Sequence, residues 1–183
     1  EIKLSVHSGA GGSGSVSFKK TSSKSSPSGG SGGYGGSVII TVNEELNDLS
    51  HIISNSSLKA ENGTDGNKNF QEGKKGKDLI IEVPKGTKIE VDNEVYADLH
   101  ENEASFIVLE GSKAGRGNYD LISKRVSNPQ FCEHGEKRKK IDIKLTYSIY
   151  SDLVIVGLPN AGKSTLITKL TNSKAQIADY EFT

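Results

Sequence analysis

Methionine is absent from these 183 residues, and cysteine occurs once, at Cys132. A lone cysteine excludes an internal disulfide framework and suits a reducing compartment. With no initiator methionine, the chain reads as a segment of something longer at both ends, so a targeting peptide could have been removed. No stretch of about 18 apolar residues occurs, and so no segment reads as a membrane-crossing helix. Glu1-Ile-Lys-Leu-Ser-Val6 alternates as a strand does and resembles neither a signal nor a transit peptide. Net charge is missing too, because 23 Lys and Arg balance 23 Asp and Glu. That excludes a uniformly basic face for nucleic acid and leaves room for a local patch. Helical periodicity is nearly absent before residue 160, with one short turn at most over residues 44–53.

Glycine is what the chain has in excess: 21 of 183 residues, against a usual share of about 7%. The glycines cluster at Gly9–Gly14, Gly29–Gly36, Gly63–Gly76 and Gly111–Gly117. Between the clusters lie short runs of strand character: 15–18, 37–42, 78–83, 88–91, 105–109 and 140–145. Each alternates or is β-branched and is bounded by Gly, Pro or Asn. Residues 21–37 alone would pass for a flexible linker. Glycines at spacings of two and three between segments that need burial argue instead for ordered packing. Extended left-handed helices lying side by side need glycine where backbones approach, as collagen shows. Strict Gly-X-Y repetition is absent, which excludes collagen itself.

Beyond residue 150 the pattern changes. Leu153-Val-Ile-Val156 is continuously apolar, as in a strand buried on both faces of a parallel sheet. Gly157-Leu-Pro-Asn-Ala-Gly162-Lys163-Ser164-Thr165 follows, then Leu166, Ile167 and Leu170 at helical spacing, with Asn172 and Ser173 as a plausible stop. Strand, then Gly-x-x-x-x-Gly-Lys-Ser, then helix is the context of a phosphate-binding loop. Glycines let successive N–H groups point at phosphate oxygens, and the helix N-terminus adds its dipole and unpaired donors. Lys163 is placed to reach the β- and γ-phosphates and the Ser164 hydroxyl to coordinate Mg²⁺. Thr165 is a supporting polar residue.

Leu158-Pro159-Asn160-Ala161 within the loop, with Ala178-Asp-Tyr-Glu-Phe182-Thr183 after the helix, resembles the Obg family of GTPases. The upstream region agrees in order: His7-Ser-Gly-Ala-Gly-Gly12, the run from Pro27 to Gly36, Asn62-Gly63, Gly73 to Asp78, Val83-Pro-Lys-Gly-Thr87, Gly115-Arg-Gly-Asn118, Pro129 and Gly135-Glu136. The resemblance covers essentially the whole chain. Departures are Ser112 and Ala114 where the family usually has glycine, Lys137 to Lys140 where it often has a second Gly-Glu pair, and a serine-rich stretch from Thr21 to Ser26.

The resemblance implies a mainly β, glycine-rich Obg domain over 1–149, with left-handed helices emerging from a small β-barrel-like base. It further implies the first strand, P-loop and helix of an α/β GTPase domain over 150–183. It implies GTP/GDP and Mg²⁺ as cofactors, and the large ribosomal subunit and its rRNA as partners of a monomer with no membrane association. The whole protein is then a GTPase that switches large-subunit assembly, cytoplasmic or organellar. Gly157, Leu158, Pro159, Asn160, Ala161, Gly162, Lys163, Ser164, Thr165, Phe182 and Thr183 would contact nucleotide, with Ser164 as the metal ligand. In the family the stretch Ala178 to Thr183 opens switch I, and the second threonine that usually ligates Mg²⁺ falls beyond Thr183. Base-recognition and Asp-x-x-Gly elements lie outside the chain, so the chain alone is expected not to hydrolyse GTP. Two further readings stand: an RNA- or protein-binding module with a regulatory nucleotide domain, and a P-loop ATPase of another class. Cys132 and His134, without a further pair, read poorly as zinc ligands. Lys137-Arg-Lys-Lys140 with Lys144 is either a solvated face or a phosphate contact, and Arg116 reads as an exposed loop tip facing RNA.

Overall fold

The computed structural model describes residues 1–21, 24–91, 94–99, 105–148, 155–158 and 161–170. The chain divides into two compact units, Glu1–Ser148 and Ile149–Thr183. The first holds ten strands: β1 Ile2–His7, β2 Phe18–Thr21, β3 Lys24–Pro27, β4 Val38–Val42, β5 Ser56–Lys59, β6 Leu79–Val83, β7 Thr87–Val91, β8 Glu94–Leu99, β9 Ser105–Leu109 and β10 Lys140–Tyr147. The second holds α1, Lys163–Leu170, the one helix among the described residues. The architecture is therefore mainly β, as the alternating runs suggest.

Period-two alternation explains how two sheets share one core. The larger has the order β5-β1-β10-β7-β8 and the smaller β6-β4-β9. Leu4, Val6, Ile89, Ile143 and Leu145 point inward from the first, and Val38, Ile40, Val42, Ile81 and Val83 from the second. Each fully buried Val, Leu or Ile stabilises by about 1.5–3 kcal/mol relative to exposure. β1 pairs antiparallel with β10, from Ile2↔Leu145 to His7↔Lys140, and parallel with β5, from Leu4↔Ser56 to His7↔Lys59. Residues 44–53 turn without forming a helix, and Leu49 from that loop enters the core.

Six glycine-rich segments, 8–15, 28–37, 60–67, 70–78, 111–118 and 133–139, run on from these strands and pack side by side. Their backbone hydrogen bonds repeat every third residue. Ser8, Gly11 and Gly14 donate to the carbonyls of Lys139, Glu136 and Glu133 at 3.0, 3.0 and 2.9 Å. Gly9, Gly12 and Ser15 donate to Gly36, Gly33 and Gly30 at 2.9, 2.9 and 3.0 Å. The third row turns to side chains: Ala10 N–H donates to Asn62 Oδ1 at 2.9 Å and Ser13 N–H to Asp65 Oδ1 at 2.7 Å. One segment is thus held on three sides. Elsewhere Gly63 and Gly66 donate to Ala10 and Ser13, and Gly73 and Gly76 to Ser31 and Tyr34, at the same spacing.

The described residues of 21–37 are therefore no linker: β2 and β3 form a two-stranded ribbon, and 28–37 is one segment of the stack. Residues 15–17, expected in a strand, belong to the stack instead, where Ser15 N–H bonds Gly30 O. Ser112, standing where glycine is usual, is fully buried, sharing a hydrogen bond with Ser8 Oγ (3.2 Å) and donating to Lys137 O (2.9 Å). Asn118 is fully buried as a clamp: its Oδ1 accepts from Gly29 N–H at 2.8 Å, and its Nδ2 donates to Ser17 O at 3.0 Å and Pro129 O at 3.2 Å.

Close approach, rather than unusual backbone angles, is what requires glycine here. Among the described residues only Gly86 and Gly162 are glycines with positive φ. A Cβ on Gly32 would sit 2.0 Å from the carbonyl oxygen of Gly12, a main-chain atom that cannot yield. Gly32→Ala is expected to destabilise the first unit by about 3 kcal/mol or more, at the upper end of overpacking. Ser25→Ala, on the exposed ribbon, should stay within about 0.5 kcal/mol. Denaturant melts of the two variants check this.

Candidate functional site

The Gly157–Thr165 loop is built from a chain reversal and a helix start. Ala161 N–H turns back to Leu158 O at 3.2 Å, and Leu166 N–H closes the first helical turn on Gly162 O at 2.9 Å. Gly162 takes φ +79° just before α1, a left-handed conformation that costs an L-residue about 1–2 kcal/mol. Lys163, the first residue of α1, folds its side chain back across the loop. Its Nζ donates to Gly157 O at 3.1 Å and Leu158 O at 2.8 Å. An ammonium has three donors, so one remains for an anion.

Gly157, Leu158, Ala161, Gly162, Lys163 and Thr165 are thereby brought to one loop and its helix. Ser164 is the second residue of α1. Pro159, Asn160, Phe182 and Thr183 lie outside the described residues. One expectation fails in part. Leu153 and Val154 also lie outside them, but Ile155 and Val156 form no strand, and Val156 and Leu158 are 89% and 81% exposed. A parallel strand needs neighbours to pair with and helices to cover it, and no described residue supplies them. Leu166, on the expected apolar side of the helix, is 47% exposed for the same reason.

Residues 1–149 match the family model described as GTP1/OBG. The chain belongs to the GTP1/OBG family. Residues 152–183 match the model described as 50S ribosome-binding GTPase. Proteins called GTPase Obg from Nautilia profundicola, Finegoldia magna and Karelsulcia muelleri are 41%, 40% and 40% identical to it over 100%, 99% and 100% of the chain. They are matched over 52%, 44% and 57% of their own lengths, so the chain spans about half of these curated relatives.

In this GTP1/OBG chain the glycine stack has a distinct far end, opposite the end at which its segments enter the sheets. Phe70 N–H bonds Ser28 O there, and Tyr119 N–H bonds Gly29 O. The rings of Phe70 and Tyr119 meet edge to face, centroids 4.8 Å apart. Asn69 and Phe70 both hold positive φ, 56° and 63°. Strain of this kind in non-glycine residues concentrates at functional sites. Phe18, Tyr119 and Phe131 stand 40%, 49% and 57% exposed. Lys19, Lys20, Lys24, Lys68, Lys124 and Arg125 are exposed on the loops and ribbon that leave this end. Aromatics in glycine- and serine-rich loops, where no core calls for them, are the sequence signal for this surface.

Arg116 is exposed, as its place in the fourth glycine cluster suggests, but it is not a free loop tip. It lies within the stack, and its guanidinium grips Glu133 through Nε–H···Oε2 at 2.9 Å and Nη2–H···Oε1 at 2.7 Å. Lys144 likewise leaves the basic run: its Nζ lies 3.0 Å from both Glu1 and Glu90. Lys137, Arg138, Lys139 and Lys140 remain exposed, while Cys132 is half-buried and His134 exposed.

A Cβ on Gly157 would meet only ordinary contacts, the nearest 3.6 Å away at Lys163 Cδ, whereas Gly162 needs its positive φ. Gly162→Ala should therefore weaken anion binding about tenfold, the equivalent of about 1.4 kcal/mol, and Gly157→Ala much less, in titrations with a fluorescent nucleotide. The hydrogen bond from Arg116 holds the Glu133 carboxyl below its ordinary value. A lowered folded-state value favours folding above the ordinary carboxylate range, a contribution lost as pH falls through it. Arg116→Ala should return the Glu133 titration upward, as read by carbon NMR of the carboxyl.

Proposed function

We propose that the chain supplies the glycine-rich domain (1–149) and the opening of the nucleotide domain (150–183) of a GTPase that acts as a switch in large ribosomal subunit assembly. The observation that carries this reading is the Lys163 clamp on the carbonyls of Gly157 and Leu158. It closes the loop into a ring at the start of a helix, where first-turn amides have no intrahelical partner. That arrangement is suited to a polyphosphate. The donor set fits: Lys163 keeps a free N–H, and a Cβ placed on Gly162 would find no atom within 4 Å, so the loop is open beside it.

In this reading the N–H groups between Leu158 and Ser164, Pro159 excepted because it has none, would cradle the phosphates, Lys163 would neutralise them, and the Ser164 hydroxyl would hold Mg²⁺. Thr165 supports the loop, and Phe182 and Thr183 open the segment that senses the terminal phosphate. Bound Mg²⁺ supplies charge neutralisation for phosphoryl transfer. The threefold hydrogen-bond repeat, with no glycine of the stack at positive φ, supports left-handed polyproline II geometry for the six segments, and the two sheets would be their barrel-like base. The exposed aromatics and lysines of the far end support rRNA as the partner of that domain, since rings stack on unpaired bases and lysines meet phosphate. The matched description, 50S ribosome-binding GTPase, points the same way.

Fluorescent GDP titrated into the full-length protein tests the reading. Lys163→Ala should cost about 10- to 100-fold in affinity, the range of a lost hydrogen bond to a charged group. The 183-residue chain alone should show no GTP turnover. Unchanged affinity in Lys163→Ala, or turnover by the chain alone, would contradict it.

A further inference from the structure

The outward face of the five-stranded sheet is polar, and its charge is unevenly balanced. At one end Lys144 holds both Glu1 and Glu90. At the other, where β1 and β10 run into the glycine stack, cations accumulate. His7 stands directly opposite Lys59 on β5 and Lys140 on β10. Directly opposed residues share a sheet face, and strands lie about 4.8 Å apart, so three basic side chains form a closely spaced row. Arg138, next to this row in sequence, also acts on the His7 ring. Among the described residues Lys59 and Arg138 form no ion pair. The one carboxylate bearing on the ring is Asp142, already bound by the Ser5 hydroxyl and 3.5 Å from Lys140 Nζ.

The His7 ring has an unusual position within this row. Its Nδ1 is buried and has no hydrogen-bond partner. Burial, then the charges of Lys59, Lys140 and Arg138, hold the imidazolium below its ordinary value, and Asp142 alone pulls the other way. The ring therefore gives up its proton more readily than a free histidine. An anion laid over the row would offset the three cations and draw a proton onto it.

We propose that Lys59, His7, Lys140 and Arg138 form a second RNA-backbone surface, separate from the far end of the stack, and that it takes up a proton on binding. The inference rests on the RNA-partner reading above. A closely spaced cationic row suits a polyanion better than a single carboxylate, and among polyanions that reading favours RNA. Protonated His7 adds a charge, so affinity should rise as pH falls through the ring's value in the complex.

The test is binding of a fluorescein-labelled RNA duplex to the full chain, by anisotropy, over a salt series at pH 6 and pH 8. Each phosphate contact contributes about 0.9 to the slope of log affinity against log salt on a duplex. Lys59→Gln/Arg138→Gln/Lys140→Gln is expected to lower that slope by about two to three, and Lys59→Arg/Lys140→Arg to preserve it. His7→Asn, with His7→Gln as a second variant should the first unfold, is expected to remove most of the gain in affinity at the lower pH. A far-end variant, Lys19→Gln/Lys20→Gln/Lys124→Gln, separates the two surfaces. Should that variant abolish binding while the His7-row variants keep the wild-type slope and pH response, the inference is overturned and the RNA reading stands. Should the wild-type chain bind no RNA at all, both fall.

Discussion

Main chains lying against main chains are the constraint on which the first unit depends. In an ordinary core, side chains keep backbones apart and their volumes decide the packing. In the stack of 8–15, 28–37, 60–67, 70–78, 111–118 and 133–139, a neighbour's carbonyl occupies the space that a Cβ would take, as at Gly32 and Gly11. The reward is directional: amides and carbonyls find partners in adjacent segments, so a region with few apolar side chains still satisfies its backbone. Because the hydrogen bonds cross between segments far apart in sequence, no segment can hold this conformation alone.

The two sheets supply what the stack lacks. Their shared apolar core anchors one end of every segment, and the clamp at Asn118 ties Gly29, Ser17 and Pro129 near the other. Order therefore extends from an oily base to a far end that exposes aromatic rings and lysines. The two surfaces proposed for RNA lie along the same axis, with strained Phe70 at the far end and the His7 row where the stack meets the sheet. The nucleotide loop is a separate device, whose local geometry follows from two glycines, one lysine and a helix start.

Much of this was legible in the residues themselves. Alternation found β1, β4, β6, β7, β9 and β10 within about two residues, because each has one buried and one outward face. It missed β5, Ser56–Lys59, and β3, Lys24–Pro27, which carry little apolar signal and are strands because β1 and β2 offer them an edge; it also missed β8, Glu94–Leu99, which pairs with β7, and reached β2 only at Phe18. The glycine clusters indicated close packing, but which segment would touch which could not be read, since the hydrogen-bond partners of the first segment range from 15 residues away, Ser15 with Gly30, to 131 residues away, Ser8 with Lys139. The phosphate loop was legible because its motif is local. The strand before it was not realised in Ile155 and Val156, since a parallel strand is made by its neighbours rather than by its own sequence. Arg116 and Lys144 misled for a related reason: a basic residue in a sequence does not announce the Glu133, Glu1 or Glu90 that waits for it.

The repeat of three in the stack has a consequence for how such a domain can change over generations. Adding or removing one residue in a segment turns every following amide toward a different neighbour and drives side chains into carbonyls that glycine had accommodated. Only a change of three residues restores the phase, and it must be answered in each adjoining segment to keep the ends level. Lengthening is thus quantised and collective, so variation in these proteins should collect in the ribbon and loops at the far end, while the body of the stack keeps its length.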